Sequence, residues 1–483
     1  MNHRAVLRSL GIVLLAEAGC MIPSLIIALY YKEGDTSAFA LTMAILVIAG
    51  LALVQFRPVK KGLYARDGLA IVSLGWIGLS LFGAMPFYFS GEIPVMVDAI
   101  FESVSGFTTT GASILTDVER LSKGLVFWRS FTHWIGGMGV LLLTLAILPL
   151  AGAGAVHILR AESPGPSPGK LVPKLAQTAK ILYILYLGLT VFEVIALLIA
   201  GMPFFDALIH AFGTAGTGGF SNRNSSVGAY NSLTIDIIIG VFMLLFGISF
   251  ALHYQLIRGN WRSVLKDEEL RFYLLVVAAS VLLITWDVGR HQIMGWGETL
   301  RHSFFQVSSI ITTTGFTTHN FDDWPTLSKS ILVVLMLIGA SAGSTGGGIK
   351  CIRILMVLKM IRRELVRMKH PQVVQGIRIG KRLVDQQVLM GSTLFVLFYL
   401  IIMTVAIFIV SIEARDMVTS FTAVVACLSN IGPGLGLVGP TGHYADFSQF
   451  VKVVLSICML IGRLEIMPVV LLALPSFWRR VSI

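Results

Sequence analysis

The chain has 483 residues, 55% of them hydrophobic and only 13% charged, with a formal net charge of +11. Soluble globular chains carry about 25% charged residues, so this composition excludes a soluble domain and describes an all-α polytopic membrane protein. The basic excess does not indicate nucleic acid, because it is concentrated in alternate loops.

Apolar runs long enough to cross a bilayer, about 20 residues each, occur near 9–31, 38–56, 68–90, 126–150, 178–201, 233–257, 271–288, 329–361 (interrupted), 388–412 and 450–475. The first run is too long for a signal peptide, lacks a small-residue cleavage site, and is followed at once by another span. Residues 1–60 are therefore read as two N-terminal transmembrane helices. After them one arrangement recurs four times: an apolar helix, a brief amphipathic stretch, a Thr/Gly-rich knot and a second apolar helix. The units are read as 64–150, 175–260, 268–368 and 384–478, each a pore repeat. Their knots are SGFTTTGAS (Ser105 to Ser113), GTAGTGGFS (Gly213 to Ser221), SIITTTGFT (Ser309 to Thr317) and LSNIGPGLG (Leu428 to Gly436). Aligning Gly111, Gly219, Gly315 and Gly432 puts Thr109, Thr217, Thr313 and Asn430 two residues before the glycine. The same alignment superposes Asp98-Ala99-Ile100 on Asp206-Ala207-Leu208.

Lys60, Lys61 and Arg66 fall in one inter-span loop, and Arg258, Arg262, Lys266 and Arg271 in another. A dense run of Lys and Arg lies between Lys350 and Arg382. The opposite loops carry acids, among them Glu33, Asp35, Asp117, Glu119, Asp322 and Asp323. Basic loops stay in the cytoplasm, which places both termini there and all four knots in the outer half of the membrane. Every unit then runs in the same direction, so the repeats are parallel ones about an axis along the membrane normal, unlike inverted transporter repeats.

Backbone at membrane depth must be paired internally unless it lines a protein-enclosed wet cavity. A row of carbonyls facing such a cavity replaces the hydration shell of a bare cation. It needs residues with φ > 0, which glycine adopts without steric cost. The short helix before each knot enters from outside, so its negative C-terminal dipole end points at the centre. The candidate filter is Thr109, Thr110 and Gly111; Thr217, Gly218 and Gly219; Thr313, Thr314 and Gly315; and Asn430, Ile431 and Gly432. Small residues also serve ordinary helix packing, but packing does not explain why each knot ends a non-spanning segment.

The second helix of the third unit is interrupted over 339–350, where five glycines fall within ten residues. Each glycine costs about 1 kcal/mol against alanine in a helix. Gly339, Gly343, Ser344, Thr345, Gly346, Gly347, Gly348 and Lys350 are read as a movable loop under the filter. Arg463 lies near the middle of the run 450–475. A central arginine costs at least about 2.5–3.5 kcal/mol and such residues usually face a cavity, which makes Arg463 a candidate electrostatic barrier. Glu17 and Glu193 are read as packing or helix-end partners, Glu102 as a cation-attracting or solvated acid, and Trp128, Trp134, Trp324 and Trp478 as interface anchors. The cysteines (Cys20, Cys351, Cys427, Cys458) are scattered, and no nucleophile–base pair, metal-ligand spacing or phosphate-cradling motif supports an enzyme.

The strings SGFTTTGAS, GASAGSTGGGIK, LSNIGPGLG, IGRLEIMP and RAESPGP, set in this layout, resemble the TrkH-type potassium-uptake subunits of the Trk/Ktr/HKT superfamily of cation transporters. The resemblance covers the whole chain. It implies a multi-pass protein of the bacterial inner membrane that transports K⁺ and binds no organic cofactor. Serine in place of the first filter glycine is associated with sodium transport in that superfamily, so Gly111 implies potassium selectivity. The resemblance also implies a gate at 339–350, a place for Arg463 on the conduction path, a homodimer, and a cytosolic TrkA-type nucleotide-binding ring. Thr217-Gly218-Gly219 and Asn430-Ile431-Gly432 depart from TTG, and fewer well-formed ion sites than in a symmetric channel are expected. A membrane potential contributes about 2.3 kcal/mol per charge per 100 mV, enough to drive uptake. The alternative, H⁺- or Na⁺-coupled potassium symport, finds few paired carboxylates at mid-membrane to carry it.

Overall fold

Helices answer the apolar runs almost throughout. The computed structural model describes residues 1–57, 65–139, 175–372, 376–380, 382–413 and 416–478. The inner part of the span expected over 126–150, most of the basic stretch 57–66, and residues 160–174 with RAESPGP lie outside them.

Two helices, His3–Cys20 and Ile22–Tyr31, form the first span, and Thr36–Val54 forms the second. They cross where glycines face each other: a methyl on Gly11 would lie 2.7 Å from the Gly50 carbonyl oxygen. Small residues at such crossings let backbones approach closely. Six helices among the described residues are long and apolar enough to cross a membrane, or seven if a bent pair is one span.

The four units share one plan. Their opening helices are Ala65–Gly83 continued by Met85–Phe89, Leu175–Ile199, Glu268–Arg290 and Gln386–Ser411. Their pore helices are Met96–Phe107, Phe204–Gly216, Trp296–Ile311 and Met417–Leu428, of 12, 13, 16 and 12 residues. At about 1.5 Å per residue none can span a hydrocarbon core of about 30 Å. An acid sits at the N-terminal start of each: Asp98, Asp206 and Glu298 in the first turn, and Asp416 at the N-cap. Carboxylates are favoured at that positive dipole end.

The closing helices depart from the sequence-based expectation. The third is interrupted as expected, ending at Ile338 and resuming at Cys351. The span expected over 233–257 is broken too: Leu233–Phe246 and Phe250–Ile257 meet at 98°. The run 450–475 is not one helix either, because Gln449–Arg463 ends in Glu465 and Ile466 at φ +58° and +65° before Met467–Ala473 begins. In the first unit the closing helix runs Lys123–Gly137. A short hairpin pairs Arg378–Ile379 with Arg382–Leu383 in the basic linker.

Polar staples join successive units in a cycle. Arg129 of the first unit reaches the Ser221 carbonyl of the second at 3.2 Å and stacks on Phe220 at 3.4 Å. Asp236 of the second pairs with Arg301 of the third at 2.7 Å, and Asp322 of the third accepts from the Gly436 amide of the fourth at 3.1 Å. Lys452 of the fourth returns to Asp98 of the first at 2.7 Å. In the loops after the first and second knots Asn224 donates to Asp117 at 2.9 Å, and this bond holds the Asp117 carboxyl below the usual carboxylate range.

Three side-chain expectations need correction. Glu102 is 1% exposed and neither solvated nor at the mouth. It pairs with Arg129 at 2.6 Å and accepts from Ser113 and the Ile114 amide, pinning the chain just after the first knot. Trp128 and Trp324 are buried core residues, and Trp128 donates to the Gly83 carbonyl. Trp261, Trp286, Trp296 and Trp478 are the exposed tryptophans.

Removing one partner of a buried pair leaves an uncompensated charge, at a cost of about 3–5 kcal/mol. Arg129→Ala is expected to lower the thermal midpoint of the detergent-purified protein, and the Glu102→Gln/Arg129→Met double variant to recover much of it. An unchanged midpoint for Arg129→Ala would contradict the scaffold role of the pair.

Candidate ion-conduction site

Every pore helix ends in the same way. The amides of Thr109, Thr217, Thr313 and Asn430 bond three residues back, to Gly106, Thr214, Ile310 and Cys427, at 3.0–3.3 Å. The amides of the next residues, Thr110, Gly218, Thr314 and Ile431, bond five residues back, to Ser105, Gly213, Ser309 and Ala426, at 2.8–2.9 Å. This is the Schellman pair of bonds, and it requires a left-handed residue after the helix. The left-handed residues are Thr109, Thr217, Thr313 and Asn430, with φ between +54° and +58°. Two residues on, Gly111, Gly219, Gly315 and Gly432 have φ between +75° and +94°. Positive φ was expected at the glycines; the left-handed position two residues before them was not. A non-glycine residue pays about 1–2 kcal/mol there. Asn430 was the available signal, since asparagine tolerates this conformation.

The four knots close into a ring in chain order. A methyl on Gly111 would lie 2.0 Å from the Gly218 carbonyl oxygen, and one on Gly219 would lie 2.1 Å from that of Thr314. One on Gly315 would lie 2.0 Å from the Ile431 oxygen, and one on Gly432 would lie 2.7 Å from that of Thr110. Each glycine is thus the seat of the carbonyl supplied by the next unit. The departures at Gly218, Asn430 and Ile431 leave this backbone pattern unchanged. Unit-specific side chains then brace it: Asn430 Nδ2 donates to Thr110 Oγ1 and to the Met459 carbonyl, both at 2.9 Å. The Tyr444 hydroxyl donates to the Gly432 carbonyl at 2.7 Å. Tyr444 lies outside all four knots, and nothing in their spacing pointed to it.

The interrupted segment packs against the inner rim of this ring. A methyl on Gly346 would lie 2.8 Å from the Thr312 oxygen, and one on Gly347 would lie 2.3 Å from the Ser429 oxygen. Gly339, Gly343, Gly348 and Lys350 all have positive φ, and the buried Lys350 ammonium donates to the Gly346 carbonyl. Ser344 and Thr345 turn the segment, with the Ser344 hydroxyl on the Ser341 carbonyl and that of Thr345 on Phe246. Arg463 stands at the end of its half-helix. Its guanidinium donates to Thr345 at 2.8 Å, Gly136 at 2.5 Å and Gly137 at 3.2 Å, all backbone carbonyls. It thereby links the fourth unit to the segment and to the closing helix of the first. A cavity of about 50 Å³ lies here, lined by Lys350, Arg463, Glu465 and the loop glycines. Glu465 is paired with Arg353 at 2.7 Å.

Comparison with known proteins agrees with this geometry. The family model described as TrkH, cation transport protein, matches residues 35–480. The Trk system potassium uptake protein TrkH of Salmonella typhimurium is 40% identical, covering 99% of this chain and 100% of that protein. The protein of the same name from Escherichia coli K12 is 39% identical over the same shares. The crystal structure of the potassium transporter TrkH from Vibrio parahaemolyticus superposes with a TM-score of 0.88 at 35% identity, covering 99% of this chain and 100% of that one.

Gly315→Ala drives a methyl into the Ile431 carbonyl at a left-handed position and is expected to lower the thermal midpoint. Gly391→Ala, on a helix with nothing within 4 Å, is expected to leave it unchanged or raise it. Equal behaviour of the two variants would show that the ring is not close-packed.

Proposed function

The chain belongs to the TrkH family of cation transport proteins and mediates potassium uptake across a membrane, and on that premise we propose that the four-knot ring is its selectivity filter. The observation that carries this reading is the cyclic seating of the Thr110, Gly218, Thr314 and Ile431 carbonyls on Gly432, Gly111, Gly219 and Gly315. Thr109, Thr217, Thr313 and Asn430 turn the chain into the ring. K⁺ passes along the axis, its hydration shell replaced by backbone oxygens. The pore repeats correspond to 64–150, 175–260, 268–368 and 384–478.

Below the ring the segment 339–350, with Gly339, Gly343, Ser344, Thr345, Gly346, Gly347, Gly348 and Lys350, acts as the gate. Arg463 acts as the barrier, and its three carbonyl contacts hold a positive charge beside the segment. Glu465, the carboxylate lining the cavity, is paired with Arg353. This favours channel-like flux over H⁺- or Na⁺-coupled symport. The basic loops favour a bacterial inner-membrane protein with both termini cytoplasmic.

The relatives' names place them in a Trk system, which implies partner proteins for this chain. The helix Cys351–Lys369 continues directly from the gate and carries exposed Leu358, Ile361, Leu365 and Met368 at helical spacing. That stripe suits a homodimer contact, and the basic residues around it suit a cytosolic TrkA-type ring.

The chain is expected to restore growth of a potassium-uptake-deficient bacterium at limiting K⁺, and Gly432→Ser to lose K⁺ over Na⁺ discrimination by reversal potential in proteoliposomes. Arg463→Ala is expected to raise K⁺ flux several-fold. Failed rescue by a well-expressed chain, or a K⁺ reversal potential that follows the H⁺ or Na⁺ gradient, would count against this reading. Leu365→Lys is expected to shift a dimer to monomer in light scattering; an unchanged mass would remove the stripe from the interface.

A further inference from the structure

The four left-handed residues share a backbone and differ in what their side chains do. Thr109 Oγ1 is buried without a hydrogen-bond partner. Thr217 Oγ1 donates to the adjacent Gly216 carbonyl at 2.6 Å, and Asn430 braces the first and fourth units. Thr313 Oγ1 accepts the Gly347 amide of the interrupted segment at 2.6 Å. We infer that Thr313 is a latch: its hydroxyl holds segment 339–350 closed against the filter, separately from its backbone role in the ring. This inference rests on reading that segment as the gate.

The remaining anchors of the segment run to the surroundings of the filter. The Ser341 amide bonds Gly247 at 3.1 Å, the Phe250 amide bonds Gly343 at 3.0 Å, and Thr345 Oγ1 bonds Phe246 at 3.3 Å, all at the break in the second unit's closing helix. The Ala342 amide bonds Glu269 at 2.6 Å, and Arg463 holds the Thr345 carbonyl. These contacts fix where the segment is hinged. The Gly347–Thr313 bond is made at the filter itself, and absence of a side chain at Gly347 is what allows it. A methyl there would meet the Ser429 oxygen at 2.3 Å and Asn430 Cβ at 3.1 Å. Lys350, on the Gly346 carbonyl, braces the same turn from below. Retraction of the segment must break the Thr313 bond, so the hydroxyl biases the closed state. A buried donor that loses its acceptor is penalised until water or another group replaces it. The bias therefore belongs to one unit of four, although all four carry the same backbone.

The test is a double-mutant cycle on K⁺ flux in proteoliposomes holding the full chain without a partner. Thr313→Ala is expected to raise basal flux about fivefold, the factor that one hydrogen bond of about 1 kcal/mol is worth. Thr313→Ser, which keeps the acceptor, is expected to give a lower flux than Thr313→Ala, and the K⁺/Na⁺ reversal potential to be the same in both. In a chain lacking 343–348, flux is raised already and Thr313→Ala is expected to add nothing. If the deletion raises flux and Thr313→Ala does not, the latch is overturned while the gate stands. If the deletion leaves flux at the parental level, the gate reading itself fails. If Thr313→Ala shifts the reversal potential equally in both backgrounds, the hydroxyl serves the ion and not the segment. Thr313→Cys, whose sulfur is a poor acceptor, replaces the alanine variant should that one not be recovered folded, with the same expected outcomes.

Discussion

The contact between each knot glycine and the carbonyl of the next unit is the constraint on which the rest of the structure depends. At 2.0–2.7 Å from a built Cβ, no side chain fits at any of the four positions. The carbonyls can come this close only if the chain leaves each pore helix abruptly, which the Schellman bonds and the left-handed residue accomplish. They can stay there only if four helices that do not span the membrane are held from outside. The staples do this, Arg129 to Ser221, Asp236 to Arg301, Asp322 to Gly436 and Lys452 to Asp98. Each lies between successive units, so the ring is closed by polar contacts as well as by packing.

Beneath the ring the symmetry of the backbone gives way to an asymmetry of side chains. Among the described residues, the third closing helix opens into a glycine-rich segment and the fourth breaks after an arginine. Arg463 draws its three carbonyls from the first unit and from the segment. Lys350 turns inward onto the segment's own backbone. Two cations and the ends of broken helices thus converge on a small cavity, where helix C-terminal carbonyls favour positive charge.

Much of this was legible in the sequence because it is written as repetition. The helices over most of the apolar runs, the four knots and the interruption at 339–350 follow from hydrophobic runs and glycine density. The breaks at 247–249 and 464–466 were not legible. Each lies inside a run whose hydrophobicity is continuous, and a single Gly247 or Gly462 is weak evidence against a helix. Glu102 was misread because its partner Arg129 is 27 residues away and on another helix, so its burial was visible only in three dimensions. The left-handed Thr positions were hidden because threonine is a poor predictor of that conformation; only Asn430 hinted at it. The second-unit and fourth-unit departures from TTG keep the backbone turn and the ring contacts and differ in their side-chain bonds.

The central claim is that a bare cation sits on the axis among the Thr110, Gly218, Thr314 and Ile431 carbonyls. The most direct measurement is an anomalous difference map of crystals grown with Rb⁺ or Tl⁺ in place of K⁺. The account predicts a peak inside that ring, displaced when K⁺ is returned and absent with Na⁺. A map with no peak in the ring, or with its peak elsewhere in the protein, would contradict it.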